Sequence, residues 1–223
     1  MAILTADSSQ FSPFSNMSLH LHLDRIGKRF GRHWILRDFS ADFKSGELIG
    51  IKGRNGSGKS TLLRILAGQL TPSRGKMTIS TDGRTVPEAE LYRLVSWTGP
   101  YLELTEGLTI SELLRFHFSL KPLLPGLSLK DIPARIQLEQ VRNRKLTDCS
   151  SGMRQRVLLA TALYADTPIV LLDEPTVTLD QKAVEWFHTE LSTCRRARIV
   201  FIASNEEDDL RDHDRIIELN SVI

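Results

Sequence analysis

The sequence predicts an α/β fold with a mainly parallel core sheet, an antiparallel β layer near the N-terminus and a helical insertion. Three observations predict it. Short apolar runs alternate with helical patterns in the C-terminal third, as buried parallel strands and their crossover helices do. Residues 19–25 and 34–43 alternate apolar and polar positions, the pattern of half-buried antiparallel strands. Between about 100 and 165 the pattern is helical instead.

Residues 1–16 are rich in Ser and small residues, carry Pro13 and lack periodicity, so a disordered tail is expected. Met17 directly precedes Leu19-His20-Leu21-His22-Leu23 and is the expected translation start. Residues 17–223 then form the folded domain. A short strand over Glu47–Lys52 feeds a Gly-rich loop, and residues 60–67 form an amphipathic helix that Gly68 terminates in a left-handed cap. A strand over 76–80 ends in the Asp82-Gly83 turn. Another strand covers 93–97. Thr109 and Glu112 have the spacing of a capping box for a helix over 110–120, which Pro122, Pro125 and Gly126 interrupt. Helices over 129–141 and 153–165 follow, then strand 168–172, helix 181–194 and strands 198–203 and 215–219.

Composition is that of an ordinary globular protein, 41% hydrophobic and 25% charged over 223 residues. A net charge of +2 gives no reason to expect direct nucleic-acid binding, and the basic clusters at 142–145 and 195–198 read as solvated faces. Cys149 and Cys194 offer neither a metal spacing nor a disulfide framework, which points to a reducing cytoplasmic compartment. No run approaches the ~18 apolar residues of a membrane-spanning helix, and no secretory signal pattern opens the chain.

Three motifs carry chemistry. In Gly53-Arg54-Asn55-Gly56-Ser57-Gly58-Lys59-Ser60, followed by Thr61, glycines let backbone N–H groups wrap phosphates at a helix N-terminus. Lys59 supplies a point charge to the β and γ phosphates, and the Ser60 hydroxyl can ligate Mg²⁺. The second motif, Ile169–Leu172 followed by Asp173-Glu174, delivers two carboxylates to the C-terminal edge of a parallel sheet. Asp173 is placed for the magnesium shell and Glu174 to polarise a water attacking the γ-phosphate. In the third, Ser150-Ser151-Gly152-Met153, the serines cap the following helix and leave its amides free for an anion.

Together these residues resemble the nucleotide-binding domain of ABC transporters, a P-loop NTPase, from about residue 19 to the C-terminus. Gly53–Ser60 is similar to Walker A, Ser150–Met153 to the signature sequence, and Asp173-Glu174 to Walker B with its catalytic glutamate. Thr178-Leu179-Asp180 resembles the D-loop, and Phe30 resembles the aromatic residue that stacks on adenine. The resemblance implies an ATP- and Mg²⁺-dependent ATPase that pairs head to tail, as a homodimer or pseudo-dimer, and drives a separate membrane permease. It would then sit peripherally on the inner face of the cell membrane, with residues 101–125 as the docking face. Two positions depart from the family. Tyr101 fills the slot of a metal-contacting glutamine, and Asn205 that of the switch histidine; Ser151 and Met153 also replace the usual glycine and glutamine. Loss of a positioned acid–base group costs about 10²–10⁴-fold in rate, so slow hydrolysis is expected. A slow or non-hydrolysing ATP-dependent dimerisation switch is the alternative.

Overall fold

The computed structural model of the chain describes residues 17–100, 102 and 104–219. The 1–16 tail and Tyr101 lie outside the described residues.

The N-terminal layer begins with β1 (Leu19–Phe30) and β2 (His33–Lys44). Leu19, Leu21 and Leu23 are buried while His20 and His22 between them face outward, so the period-2 pattern sets which face meets the core. A later hairpin joins β4 (Arg74–Thr81) to β5 (Arg84–Thr85) through Asp82 and Gly83, both at positive φ, as a two-residue turn between twisted strands demands. These four strands pair antiparallel in the order β2-β1-β4-β5.

The core sheet consists of β3 (Leu48–Lys52), β6 (Val95–Thr98), β7 (Ile169–Asp173), β8 (Ile199–Ala203) and β9 (Arg215–Glu218). Its order is β6-β7-β8-β3-β9, and every pairing is parallel. Among the described residues six α-helices accompany the strands: α1 (Lys59–Leu66), α2 (Leu91–Leu94), α3 (Ile110–Leu120), α4 (Ile132–Arg135), α5 (Ser151–Leu163) and α6 (Gln181–Arg195). Side chains alternate across the core strands into two apolar clusters. Ile49, Ile51, Leu171 and Phe201 join α1 and the antiparallel layer. Leu48, Val170, Leu172 and Ile202 join α5 and α6.

The capping box at α3 is complete: Glu112 N–H donates to Thr109 Oγ1, and Thr109 N–H donates to Glu112 Oε2. The single helix expected over 129–141 is not formed. A 3₁₀ turn over Leu129–Asp131 leads into the four residues of α4, and a second 3₁₀ turn follows at Glu139–Val141. Pro133 fits only near a helix start, and Gln137 turns left-handed at φ 59. Tertiary donors then take the carbonyls at the end of α4. Trp186 Nε1 donates to Arg135 O at 2.7 Å, and Arg156 Nη1 to Ile136 O at 3.3 Å. Helical propensity loses to these contacts.

Arg198, 5% exposed, fastens the C-terminal end of α5 to the sheet. Its guanidinium donates to the carbonyls of Ala162, Leu163, Ala165 and Thr167. Burial pulls its pKa down to about 10, which leaves it charged at neutral pH. Ala162 O keeps Ser96 Oγ and Ala165 O keeps the Thr167 N–H, so Arg198→Leu strips the guanidinium donor chiefly from Leu163 and Thr167, at about 1–3 kcal/mol for each group left unsatisfied. Chemical denaturation should show a loss of about 2 kcal/mol or more.

Candidate functional site

Strand β3 and helix α1 are joined by the Gly-rich loop, and two of its glycines have no substitute. A Cβ on Gly53 would lie 2.4 Å from Ser57 Oγ and 2.5 Å from Leu219 O. Gly58 stands before α1 at φ 101, where a Cβ would also press Leu36 at 2.9 Å. The loop therefore folds back on itself tightly enough to offer its backbone to a ligand.

Lys59, 6% exposed, is held from three sides. Its Nζ donates to Gly53 O at 2.7 Å and to Asn205 Oδ1 at 3.1 Å, and lies 3.6 Å from Glu174 Oε1. Asn205 in turn donates from Nδ2 to Asn55 Oδ1 at 2.7 Å. The loop after β8 thus reaches across to the Gly-rich loop, and the amide of Asn205 bridges its Lys59 and Asn55 side chains.

At the end of β7, Asp173 and Glu174 are neighbours with different surroundings. Asp173 is 1% exposed, and neither carboxyl oxygen has a hydrogen-bond partner of acceptable geometry. Burial pushes its pKa up and the charge of Glu174 adds to this, while the Ser60 hydroxyl, Lys59 and Arg64 pull the other way. Glu174 is partly exposed to the cleft and accepts from Ser204 Oγ at 2.9 Å. Its backbone sits at φ 48, unusual for a residue with a side chain and typical of functional sites that store about 1–3 kcal/mol of strain.

A cleft of about 510 Å³ collects Phe30, Arg54, Asn55, Gly56, Gly58, Lys59, Ser60, Thr61 and Glu174. Ile35 and Pro100 complete its wall; sequence reasoning singled out neither. Phe30 is 51% exposed at the rim, with Lys28 Nζ 5.3 Å from its ring centre. Ser150, Ser151 and Gly152 do not line this cleft. Ser150 caps α5 by accepting from Met153 N–H at 3.3 Å, and Gly152 faces the carbonyl of Thr178 so closely that a Cβ would come within 3.1 Å. Asp180 caps α6, accepting from Ala183 N–H at 2.8 Å.

A Gly-rich loop between strand and helix, beside a buried carboxyl at the edge of a parallel sheet, is the arrangement of one class of nucleotide-binding fold. The model of the ABC transporter family matches residues 36–177. The chain belongs to the ABC transporter family. Among its curated relatives, sulfate/thiosulfate import ATP-binding protein CysA of Burkholderia mallei is 32% identical over 206 residues, covering 87% of this chain. CysA 2 of Rhizobium meliloti is 29% identical over 212 residues, covering 91%. This chain spans 58% of the length of each of these two relatives. Among solved ABC structures, a dimeric ATP-binding cassette in a post-hydrolysis state bound to ADP and Pi superposes with a TM-score of 0.77 at 26% identity. That alignment covers 90% of this chain and 94% of the cassette. A bacterial Atm1-family ABC exporter with ATP bound gives a TM-score of 0.78 over 96% of this chain and 39% of that one; at 21% identity it speaks for the fold alone.

Proposed function

We infer that the chain is an ATP-binding and ATP-hydrolysing subunit that powers a separate membrane permease. The observation that carries this reading is the meeting of Lys59, Glu174 and the Gly-rich loop above Asp173, a buried carboxyl whose oxygens lack partners. Such a carboxyl is costly unless something binds it. A hard divalent cation fits: Asp173 and Ser60 offer oxygen donors, the chemistry Mg²⁺ prefers. Among the described residues no cluster of three or more His, Cys, Asp or Glu could hold a metal alone. Mg²⁺ would therefore complete its shell with nucleotide phosphates and water, and when bound it supplies charge neutralisation there.

The remaining roles fall to the chain itself. Gly53 to Thr61 wrap the phosphates, Lys59 counters the charge that develops during transfer, and Phe30 stacks on the base. Glu174 orients the attacking water and takes its proton. Ser150, Ser151 and Gly152 stand outside the cleft, which supports a head-to-tail pair in which a second copy or a homologous domain brings its own signature to the nucleotide. Asp180, next in the same loop system, belongs to that shared face. The permease would hold the chain peripherally on the inner face of the cytoplasmic membrane, and among the described residues no helix is long and apolar enough to cross one. Residues 17–223 form the cassette in this reading, with residues 100–165 as its helical subdomain.

Turnover is slow in this reading. Tyr101 offers a phenol where the family has an amide carbonyl, a poorer ligand for a hard metal. Asn205 cannot titrate near neutral pH and is already engaged by Lys59 and Asn55. Those engagements also favour a second reading, a dimerisation switch that closes on ATP with negligible turnover. Purification with a co-expressed membrane partner tests the transporter reading: stable association and stimulated ATPase are expected, and absence of both would count against it. Phe30→Ala should weaken ATP binding about tenfold by calorimetry, since stacking on an aromatic ring is worth about 1–3 kcal/mol per base.

A further inference from the structure

Helix α5 meets the loop between Glu174 and Asp180 at two points, and one of them involves a buried side chain that the roles above leave unused. Gly152 approaches Thr178 O so closely that a Cβ would come within 3.1 Å. Three residues on, and so on the same face of the helix, Gln155 is 7% exposed and donates from Nε2 to Pro175 O at 2.7 Å. Pro175 directly follows Glu174. Further along the loop, Thr176 Oγ1 donates to the buried Asp209 at 2.6 Å, and Leu179 N–H to Thr176 O at 2.8 Å.

Glu174 needs such support. Its backbone at φ 48 lies in the left-handed region, which costs any residue with a Cβ, and the ring of Pro175 narrows its choices further. A residue held there persists only where its surroundings fix it from both flanks. On the upstream flank, Glu174 N–H donates to Ala203 O at 2.8 Å. On the downstream flank Pro175 has no N–H to anchor, so its carbonyl is the group by which that peptide is tied, and Gln155 ties it. Released there, the chain after Glu174 relaxes toward an ordinary conformation and turns the carboxylate away from the cleft. We propose that Gln155 is a positioning residue that clamps the Pro175 carbonyl to α5, keeps Glu174 in its left-handed turn and so aims its carboxylate into the cleft. It touches no reacting atom.

The proposal rests on the hydrolytic reading, so its test on the full chain includes an arm that needs no turnover. Both arms compare wild type with Gln155→Met, which keeps the length without a donor, and Gln155→His, which keeps an N–H donor. The first is hydrogen exchange at Val177 and Leu179, whose amides donate within the loop to Glu174 O and Thr176 O. These amides should exchange about tenfold faster in the methionine variant, while β7 and α5 keep their protection and the histidine variant stays near wild type. The second is steady-state hydrolysis of Mg-ATP. The methionine variant should lose about a hundredfold in kcat with KM little changed, as mispositioned groups do, and the histidine variant should recover most of that loss. A methionine variant that matches wild type in either arm overturns the proposal. So does equal damage in both variants when both melt cooperatively. Should the methionine variant fail to fold, the histidine variant decides, and loop exchange or kcat far from wild type overturns the clamp. A wild-type chain that hydrolyses no ATP sinks the hydrolytic reading instead, and the exchange of Val177 and Leu179 then decides on Gln155 alone.

Discussion

Glu174→Gln should lower the steady-state rate of Mg-ATP hydrolysis by about 10²–10⁴-fold, the worth of a positioned general base, with ATP affinity retained. The amide keeps an oxygen for Ser204 and the shape of the side chain, but it can neither take a proton from water nor attract Lys59 across 3.6 Å. The Gly-rich loop and the contacts of Lys59 to Gly53 and Asn205 are untouched, so binding persists. Phosphate release and calorimetry on the same preparation separate the two quantities. Unchanged turnover in the variant would remove Glu174 from the chemistry and favour the dimerisation switch.

Asp173→Asn has the second large effect, and it acts in opposite directions on stability and function. Burial raises the pKa of Asp173. A carboxyl with a raised folded-state pKa contributes stability below its unfolded value, near 3.9, and loses that contribution as pH climbs through the folded value. At neutral pH the buried carboxyl therefore works against stability in the ligand-free protein. The neutral amide removes it. Without ligand the variant should melt higher than wild type at pH 7, the gap closing toward pH 4. With Mg-ATP the order should reverse, because the variant loses the metal-dependent gain that ligand binding confers. A variant that melts no higher and still responds to Mg²⁺ would take Asp173 out of the metal shell.

Much of this was legible in the residues. The alternation of Leu19, Leu21 and Leu23, the Thr109–Glu112 spacing and the Asp82-Gly83 turn each correspond to an element found in the structure, because each depends on local geometry that a few residues decide. The Gly-rich loop was legible for the same reason: its glycines answer to steric limits within the loop and its immediate neighbours. The helix expected over 129–141 failed because Trp186 and Arg156, far along the chain, supply donors that no local pattern reveals. The burial of Asp209 was illegible for a related reason. The residue belongs to the acidic run Glu206-Glu207-Asp208-Asp209, and within that run only Asp209 is buried. Composition cannot say which of four carboxyls turns inward; the 3₁₀ turn at Asp208–Leu210 does.

Strand β7 belongs to both apolar clusters at once. Ile169 and Leu171 are embedded on the side of α1, and Val170 and Leu172 on the side of α5 and α6. The two carboxylates at its end therefore sit at a keel that neither half of the domain can release alone. Loosening one half strips only one flank of the strand, and the other still holds it in register with β6 and β8. Local breathing in the helical region then leaves Asp173 and Glu174 where they are, so heat should abolish activity and tertiary structure in a single step, with no folded but inactive form between them.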